Sequence, residues 1–326
     1  MLVRIVEGSN EIVRVRLVDS AAQAVTATPA VEETWPFWSA PAGRLAYLES
    51  AGGAMHDLVL WDPEQKAANK LARTPRRDEQ WPVWSPQRPE IAFAFRGGKP
   101  PAGIALANLE TGSRWVIAVT GWKDFFLRPG FSPDGEWLVA QRRDENGRGS
   151  SLWRVRAGTQ PDALTQDPTW FDAKPAYTRD GREILFLRRL ATGGPRDILA
   201  IPAGGGQTRT LASTPESDER SVLPSPRRDE IAVISDRDGR SALYLASLTG
   251  GTPRELSSDP TRHYFSPRWS PDGERLVAIS TRGTDGEPRL DDPQVLATTR
   301  VVVFDREGRV LFDAPGFMPD WMPPWK

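Results

Sequence analysis

An all-β chain, built as a seven-bladed β-propeller of four-stranded blades, follows from three features of these 326 residues. One short motif recurs at a near-constant interval. Strand-forming runs separated by turn signals follow each copy. A further copy is split between the two ends of the chain. The copies begin at Trp38, Trp84, Phe131, Tyr177, Pro224 and Trp269, at intervals of 46, 47, 46, 47 and 45 residues. Periods of this size mark repeat architectures, in which each unit buries its apolar face against its neighbours.

Each interval divides into four strands. The first ends at the motif aromatic, as in Pro82-Val83-Trp84-Ser85. A tight turn follows: Pro133-Asp134-Gly135, Pro271-Asp272-Gly273 or Arg179-Asp180-Gly181. Pro sets φ at the first corner, Asp bonds its own backbone, and Gly accepts positive φ. The second strand is apolar, as in Ile91-Ala92-Phe93-Ala94-Phe95 and Ile184-Leu185-Phe186-Leu187, and suits burial on both faces. The third alternates, as in Leu152-Trp153-Arg154-Val155-Arg156, and runs into a glycine turn such as Leu109-Glu110-Thr111-Gly112. The fourth is short and polar, as in Thr208-Arg209-Thr210-Leu211. A four-stranded unit of about 45 residues is a propeller blade.

The two ends supply the seventh blade. Residues 2–6, 12–17 and 24–27 read as three strands with no first strand before them. Pro319-Asp320-Trp321-Met322-Pro323 reads as a first strand with nothing after it. Joined, they leave no sheet edge to guard. Without that pairing the count is six. No linker interrupts the repeats, so residues 1–326 read as one domain.

These motifs resemble the TolB-type propeller repeat, xxPxWSPDGxxIAF. Its proline stands two residues before the motif aromatic, here Pro36, Pro82, Pro129, Pro175, Pro267 and Pro319, and the blade containing Val222 departs from it. The resemblance covers nearly the whole chain. Similar repeats build TolB, the propeller domains of prolyl-oligopeptidase-like peptidases and the oligogalacturonate lyases. The resemblance implies a fold and an extracytoplasmic setting, although no basic start followed by an apolar stretch marks a signal peptide. It implies no single function: such propellers bind proteins, bind sugars or gate a hydrolase.

Composition excludes several classes. The net charge is −1, which argues against a nucleic-acid partner. No apolar run reaches the ~18 residues of a membrane span. Without cysteine there is no disulfide and no thiolate chemistry. The two histidines, His56 and His263, cannot supply the three-histidine site of the lyase relatives. There is no Gly-x-Ser-x-Gly elbow, P-loop or HExxH. The expectation is a monomer without enzymatic activity or cofactor, with a calcium in the channel as the one exception considered. Asp236-Arg237-Asp238-Gly239 resembles part of a calcium loop but lacks the remaining ligands.

The segments entering each first strand read as loops around a channel mouth. They bring acidic and aromatic residues to matching positions, and the candidate ligand-binding set is Glu33, Trp35, Glu79, Trp81, Phe126, Asp172, Arg220, His263 and Tyr264. Carboxylates accept from hydroxyl and ammonium groups, and rings stack on cations or apolar faces. The alternative role for each is structural, with carboxylates capping turns and rings covering the core. The expected function is a non-catalytic scaffold recognising a protein or peptide at this face. The alternative is a carbohydrate-binding or carbohydrate-active propeller with Glu33, Glu79 and Asp172 as paired carboxylates. A second loop set is basic (Arg96, Lys99, Arg142, Arg143, Arg148, Arg188, Arg189, Arg196, Arg237) and suits orientation of a charged partner. Residues 282–298 stretch the last interval to 52 and are expected to form a long loop over the mouth.

Overall fold

The computed structural model describes residues 2–6, 11–26, 28, 31–50, 55–72, 77–214, 216–283 and 293–322 and is all β apart from one short helix. Strands β1 (Leu2–Val6), β2 (Glu11–Val15) and β3 (Ala22–Ala24) share a sheet with a strand from the C-terminal end, Phe317–Trp321. Two four-stranded sheets follow: β4 (Glu32–Ser39), β5 (Arg44–Ser50), β6 (Asp57–Asp62), β7 (Ala67–Ala72), then β8 (Asp78–Trp84), β9 (Glu90–Arg96), β10 (Ala102–Asn108), β11 (Arg114–Thr120). An eight-stranded sheet comes next. It holds β12 (Asp124–Phe131), β13 (Leu138–Asp144), β14 (Ser150–Val155), β15 (Asp162–Ala163), β16 (Trp170–Tyr177), β17 (Glu183–Leu190), β18 (Asp197–Pro202) and β19 (Arg209–Ala212). Its halves are joined by one parallel pair, Ser150 with Phe171. The last two sheets are β20 (Glu219–Pro224), β21 (Glu230–Ser235), β22 (Ala242–Ser247), β23 (Arg254–Glu255) and β24 (His263–Trp269), β25 (Arg275–Thr281), β26 (Arg300–Asp305), β27 (Val310–Pro315). Helix α1 (Pro293–Thr298) precedes β26, and the C-terminal strand is β28. This succession of small antiparallel sheets is a β-propeller arrangement. β28 lies beside β1, with Trp321 opposite Leu2 and Asp320 opposite Val3.

The chain divides into two compact units. The first holds residues 1–36, 195–198 and 211–326, and the second holds 37–194 and 199–210. Each buries its own core, drawn mainly from second and third strands. In the first unit Ile234, Leu243, Leu276 and Phe304 pack together. In the second, Leu152, Ile184, Phe186 and Ile201 do so. The continuous apolar runs of β9 and β17 are buried as their composition requires.

The motif residues have physical roles. The indole N–H of Trp84 donates to the Phe37 carbonyl at 2.9 Å, that of Trp269 to Leu223 at 3.1 Å, and that of Trp321 to Arg268 at 3.2 Å. Each bond ties a first strand to the residue just before the preceding motif position, which is Trp38, Pro224 or Trp269. The motif serine closes the turn: Ser132 Oγ accepts from Trp137 N–H at 2.9 Å, and Ser270 Oγ accepts from Arg275 N–H at 2.9 Å. The motif proline cannot donate to a ladder, so the strand bulges around it. Register slips between Gln80 and Val83, Leu127 and Gly130, Ala173 and Ala176, and Phe265 and Arg268. The residue before each proline takes left-handed φ: Trp35 53°, Trp81 53°, Arg128 49°, Lys174 53°, Ser266 48°, Met318 48°. The Val222 blade has no such proline and Ser221 is not among the positive-φ residues, yet register still slips there between Glu219 and Ser221.

Two expectations differ from the structure. The fourth strand is not uniformly short and polar: β11 has seven residues and exposes Trp115, Val116 and Val119. Of the segment 282–298, residues 284–292 lie outside the described residues and 293–298 form α1 rather than loop. Among the described residues no helix is long and apolar enough to cross a membrane.

Candidate functional site

All nine candidate residues lie within first strands, not in loops leading to them. The strands begin earlier than the motif suggested, because the proline bulge lets the ladder resume on its far side. Alternation along the strand then decides each fate. The residue three before the proline position points inward, and it is Glu33, Glu79, Phe126, Asp172, Glu219 or Tyr264, each at most 3% exposed. Phe126 packs among Ala92, Ile104 and Leu138. Tyr264 packs edge-on to Phe304 with centroids 5.6 Å apart.

In the second unit Glu79 N–H donates to the His56 carbonyl at 3.0 Å, while its Oε2 is enclosed without a hydrogen-bond partner. Burial, helped by the nearby charges of Asp57 and Asp78, pushes its pKa up to about 8. Asp172 is clamped by Arg188, Nε to Oδ1 at 2.7 Å and Nη2 to Oδ2 at 2.8 Å. Both its oxygens are therefore occupied, and the acid–base pair imagined for Glu79 and Asp172 loses one member. Trp81 lies beneath the Arg128 guanidinium, 4.2 Å from its ring centroid.

In the first unit Glu33 accepts from the Ile12 N–H at 3.3 Å and from the hydroxyls of Thr26 and Thr28. Trp35 directs its N–H to the Met318 sulfur at 3.3 Å. Arg220 pairs with Asp236 at 2.9 Å, and His263 opens β24 half-buried. Sequence reasoning missed Glu219, which is 0% exposed and takes Arg237 at 2.8 Å. Burial raises its pKa even against the Arg237 charge. Its signal was its offset from position 222, obscured because that blade lacks the proline.

Position four before the proline carries a second pattern. The His56 N–H and Nδ1 both meet Asp78 Oδ1, at 2.8 and 2.9 Å. In the first unit the Arg196 N–H and Nε meet Asp218 Oδ1 in the same way, at 3.0 and 2.7 Å. The Asp236–Gly239 fragment is closed: Asp236 accepts from Asp218 N–H and Arg220, and Asp238 from the Tyr244 hydroxyl. Among the described residues no group of three or more His, Cys, Asp or Glu could hold a metal ion.

Five of the nine residues of the basic loop set lie on strands, and Lys99, Arg148, Arg196 and Arg237 lie outside them. Arg142 pairs with Asp124 at 2.8 Å, and Arg188, Arg196 and Arg237 pair as above. Others rest on rings: Arg96 lies 4.0 Å from the Phe125 centroid, and Arg143 and Arg189 lie 5.6 and 4.2 Å from that of Phe171.

No family model matches the chain. The uncharacterized peptidase YuxL of Bacillus subtilis is 40% identical over 123 residues, 36% of this chain and 18% of that protein. The uncharacterized protein Atu1656 of Agrobacterium fabrum is 27% identical over 165 residues, 43% of this chain and 52% of that one. Among solved structures, puromycin hydrolase matches with a TM-score of 0.70 at 19% identity, over 94% of this chain and 50% of its own. A prolyl endopeptidase matches at 0.64 and 16%, over 88% and 43%. TolB from Acinetobacter baumannii matches at 0.59 and 19%, over 95% and 78%. The fold is the β-propeller of these proteins. The chain spans half or less of the hydrolase and the endopeptidase.

These similarities overturn two expectations, the non-catalytic scaffold and the absence of any enzymatic role. The proteins that the chain resembles include a peptidase, a prolyl endopeptidase and puromycin hydrolase. The misreading has a physical source. The repeat encodes blade geometry, and its sequence carries no Gly-x-Ser-x-Gly elbow. The missing nucleophile therefore described the repeat, not the class of protein that uses it.

Proposed function

We propose that this propeller serves a peptidase-type hydrolase by recognising peptide substrate and controlling its access to a nucleophile that residues 1–326 do not supply. What carries the reading is a 40% identical stretch in a protein named as a peptidase, alongside a propeller match of 0.70 to puromycin hydrolase. The residues fit such a division of labour. There is no Gly-x-Ser-x-Gly elbow, and Asp172 and Glu33 are committed to partners within their own units. The description of the prolyl endopeptidases credits inter-domain dynamics with a role in catalysis and specificity. Here the propeller is taken as one member of such a pair. The reading adopts seven blades, dividing the eight-stranded sheet at its single parallel pair, and a monomeric working unit.

The test is the protein isolated from its own cells through a tag on this chain. Hydrolysis of fluorogenic peptide amides is expected, together with fluorophosphonate labelling of a serine in the isolated material. A preparation that cleaves no member of a broad peptide panel and takes no label would sink the proposal.

A further inference from the structure

Near the ends of β9, β13 and β17 an arginine stands at one and the same register. Arg96 lies opposite Asp78, Arg143 opposite Phe125 and Arg189 opposite Phe171. None of the three forms an ion pair with a carboxylate among the described residues. Each guanidinium is laid on an aromatic ring instead, Arg96 on Phe125 and the other two on Phe171. A ring holds a guanidinium in place without neutralising it, and leaves N–H edges to meet a planar anion. The neighbouring acids are engaged elsewhere. Asp78 is held by His56, Asp124 by Arg142 and Asp172 by Arg188. Asp144 accepts from the N–H groups of Arg148 and Gly149.

The charge of the chain is divided in the same sense. The second unit carries 23 Lys and Arg against 18 Asp and Glu, a net +5. The first carries 19 against 25, a net −6, and the two together give the −1 of the whole chain.

We infer that Arg96, Arg143 and Arg189 form a docking row for an acidic polypeptide segment. Carboxylate side chains would meet the guanidinium edges in charge-assisted pairs, which are the strong ones for arginine. The inference deepens the peptidase reading by naming a substrate class. Its test reads binding alone, so either can fail without the other.

The experiment is fluorescence anisotropy with a labelled glutamate-rich peptide, titrated with the full chain at low and at physiological salt. The variant carries Arg96→Gln, Arg143→Gln and Arg189→Gln. A charge-matched control carries Lys66→Gln, Arg114→Gln and Arg182→Gln, at exposed positions on the opposite strand ends. The row variant should bind at least tenfold more weakly, and the control within twofold of the parent. Binding should weaken as salt rises. Replacing the same three arginines by lysine keeps the charge and checks the fold but loses the planar fork; its binding should fall between that of the parent and that of the glutamine variant. Equal losses in row variant and control overturn the inference, as does no binding by the parent. So does a labelled oligonucleotide that binds the row more tightly than the peptide, or self-association of the chain that the row variant abolishes.

Discussion

Replacing Tyr177 by phenylalanine should stabilise the second unit. In three motif copies the tryptophan N–H reaches a carbonyl, at 2.9, 3.1 and 3.2 Å. Tyr177 occupies the equivalent place, 9% exposed, and its hydroxyl is enclosed with no hydrogen-bond partner. Burial pushes its pKa above the ordinary tyrosine value, so ionisation brings no relief. An enclosed polar group left unbonded costs about 1–3 kcal/mol. Tyr177→Phe keeps the ring and removes only the oxygen, so a net gain of about 1 kcal/mol is expected after allowing for the small void. For a unit of this size that is a rise in melting temperature of about 2–4 °C. Calorimetry of the parent and variant measures it. Trp84→Phe provides the opposite sign, because it strands the Phe37 carbonyl and removes volume; a loss of about 2–3 kcal/mol is expected. Tyr177 lines a cleft of about 520 Å³ with Ser132, Trp137 and Arg154. If Tyr177→Phe lowers the melting temperature or leaves it unchanged while Trp84→Phe behaves as stated, the hydroxyl has a partner in solution and the reasoning fails.

Two further perturbations test the buried carboxylates. Glu79 has a folded pKa of about 8, above its unfolded value of 4.5, so the unfolded chain releases this proton first as pH rises. Its contribution to stability is full below about pH 4.5 and falls between there and pH 8; Glu79→Gln should therefore raise the melting temperature at pH 8 far more than at pH 5, and equal shifts at both pH values would contradict the assignment. Asp172→Asn removes the charge that Arg188 grips in a pair 2% and 14% exposed, and urea unfolding should show a loss of about 3–5 kcal/mol. The exposed pair Arg228–Glu274 should yield a far smaller loss when Arg228 becomes Gln, and a comparable loss at both pairs would refute the burial argument.

The fold was legible because the repeat is a physical constraint written several times over. Turn chemistry at Pro133-Asp134-Gly135, apolar second strands and a tryptophan at a fixed offset each recur with the blade. Even the pairing of β28 with β1 could be read, since Trp321 carries the same donor as Trp84 and Trp269. The candidate site was legible only in part. Glu33, Glu79 and Asp172 each stand three residues before the motif proline, but exposure cannot be read from residue type. Three different local solutions bury the four carboxylates there: hydroxyls at Glu33, a proton at Glu79, and an arginine at both Asp172 and Glu219.

Strand parity explains what was missed. The candidate set mixed residues one to four before the proline position, and the third and fourth face opposite ways across the pleat. The third faces the core, and the fourth lies half-buried at Asp78, Phe125, Asp218 and His263. The arginine row belongs to this second register, which the acidic and aromatic residues of the first had overshadowed. Whole-chain charge obscured it as well. A net −1 reads as neutral, yet it is the difference between a unit at +5 and a unit at −6. With a screening length of about 8 Å at physiological salt, a ligand on one face responds to the charges beside it and scarcely to the total. The sum over the chain therefore never argued against an anionic ligand at Arg96, Arg143 and Arg189, and the relevant charge is that of one register in three successive second strands.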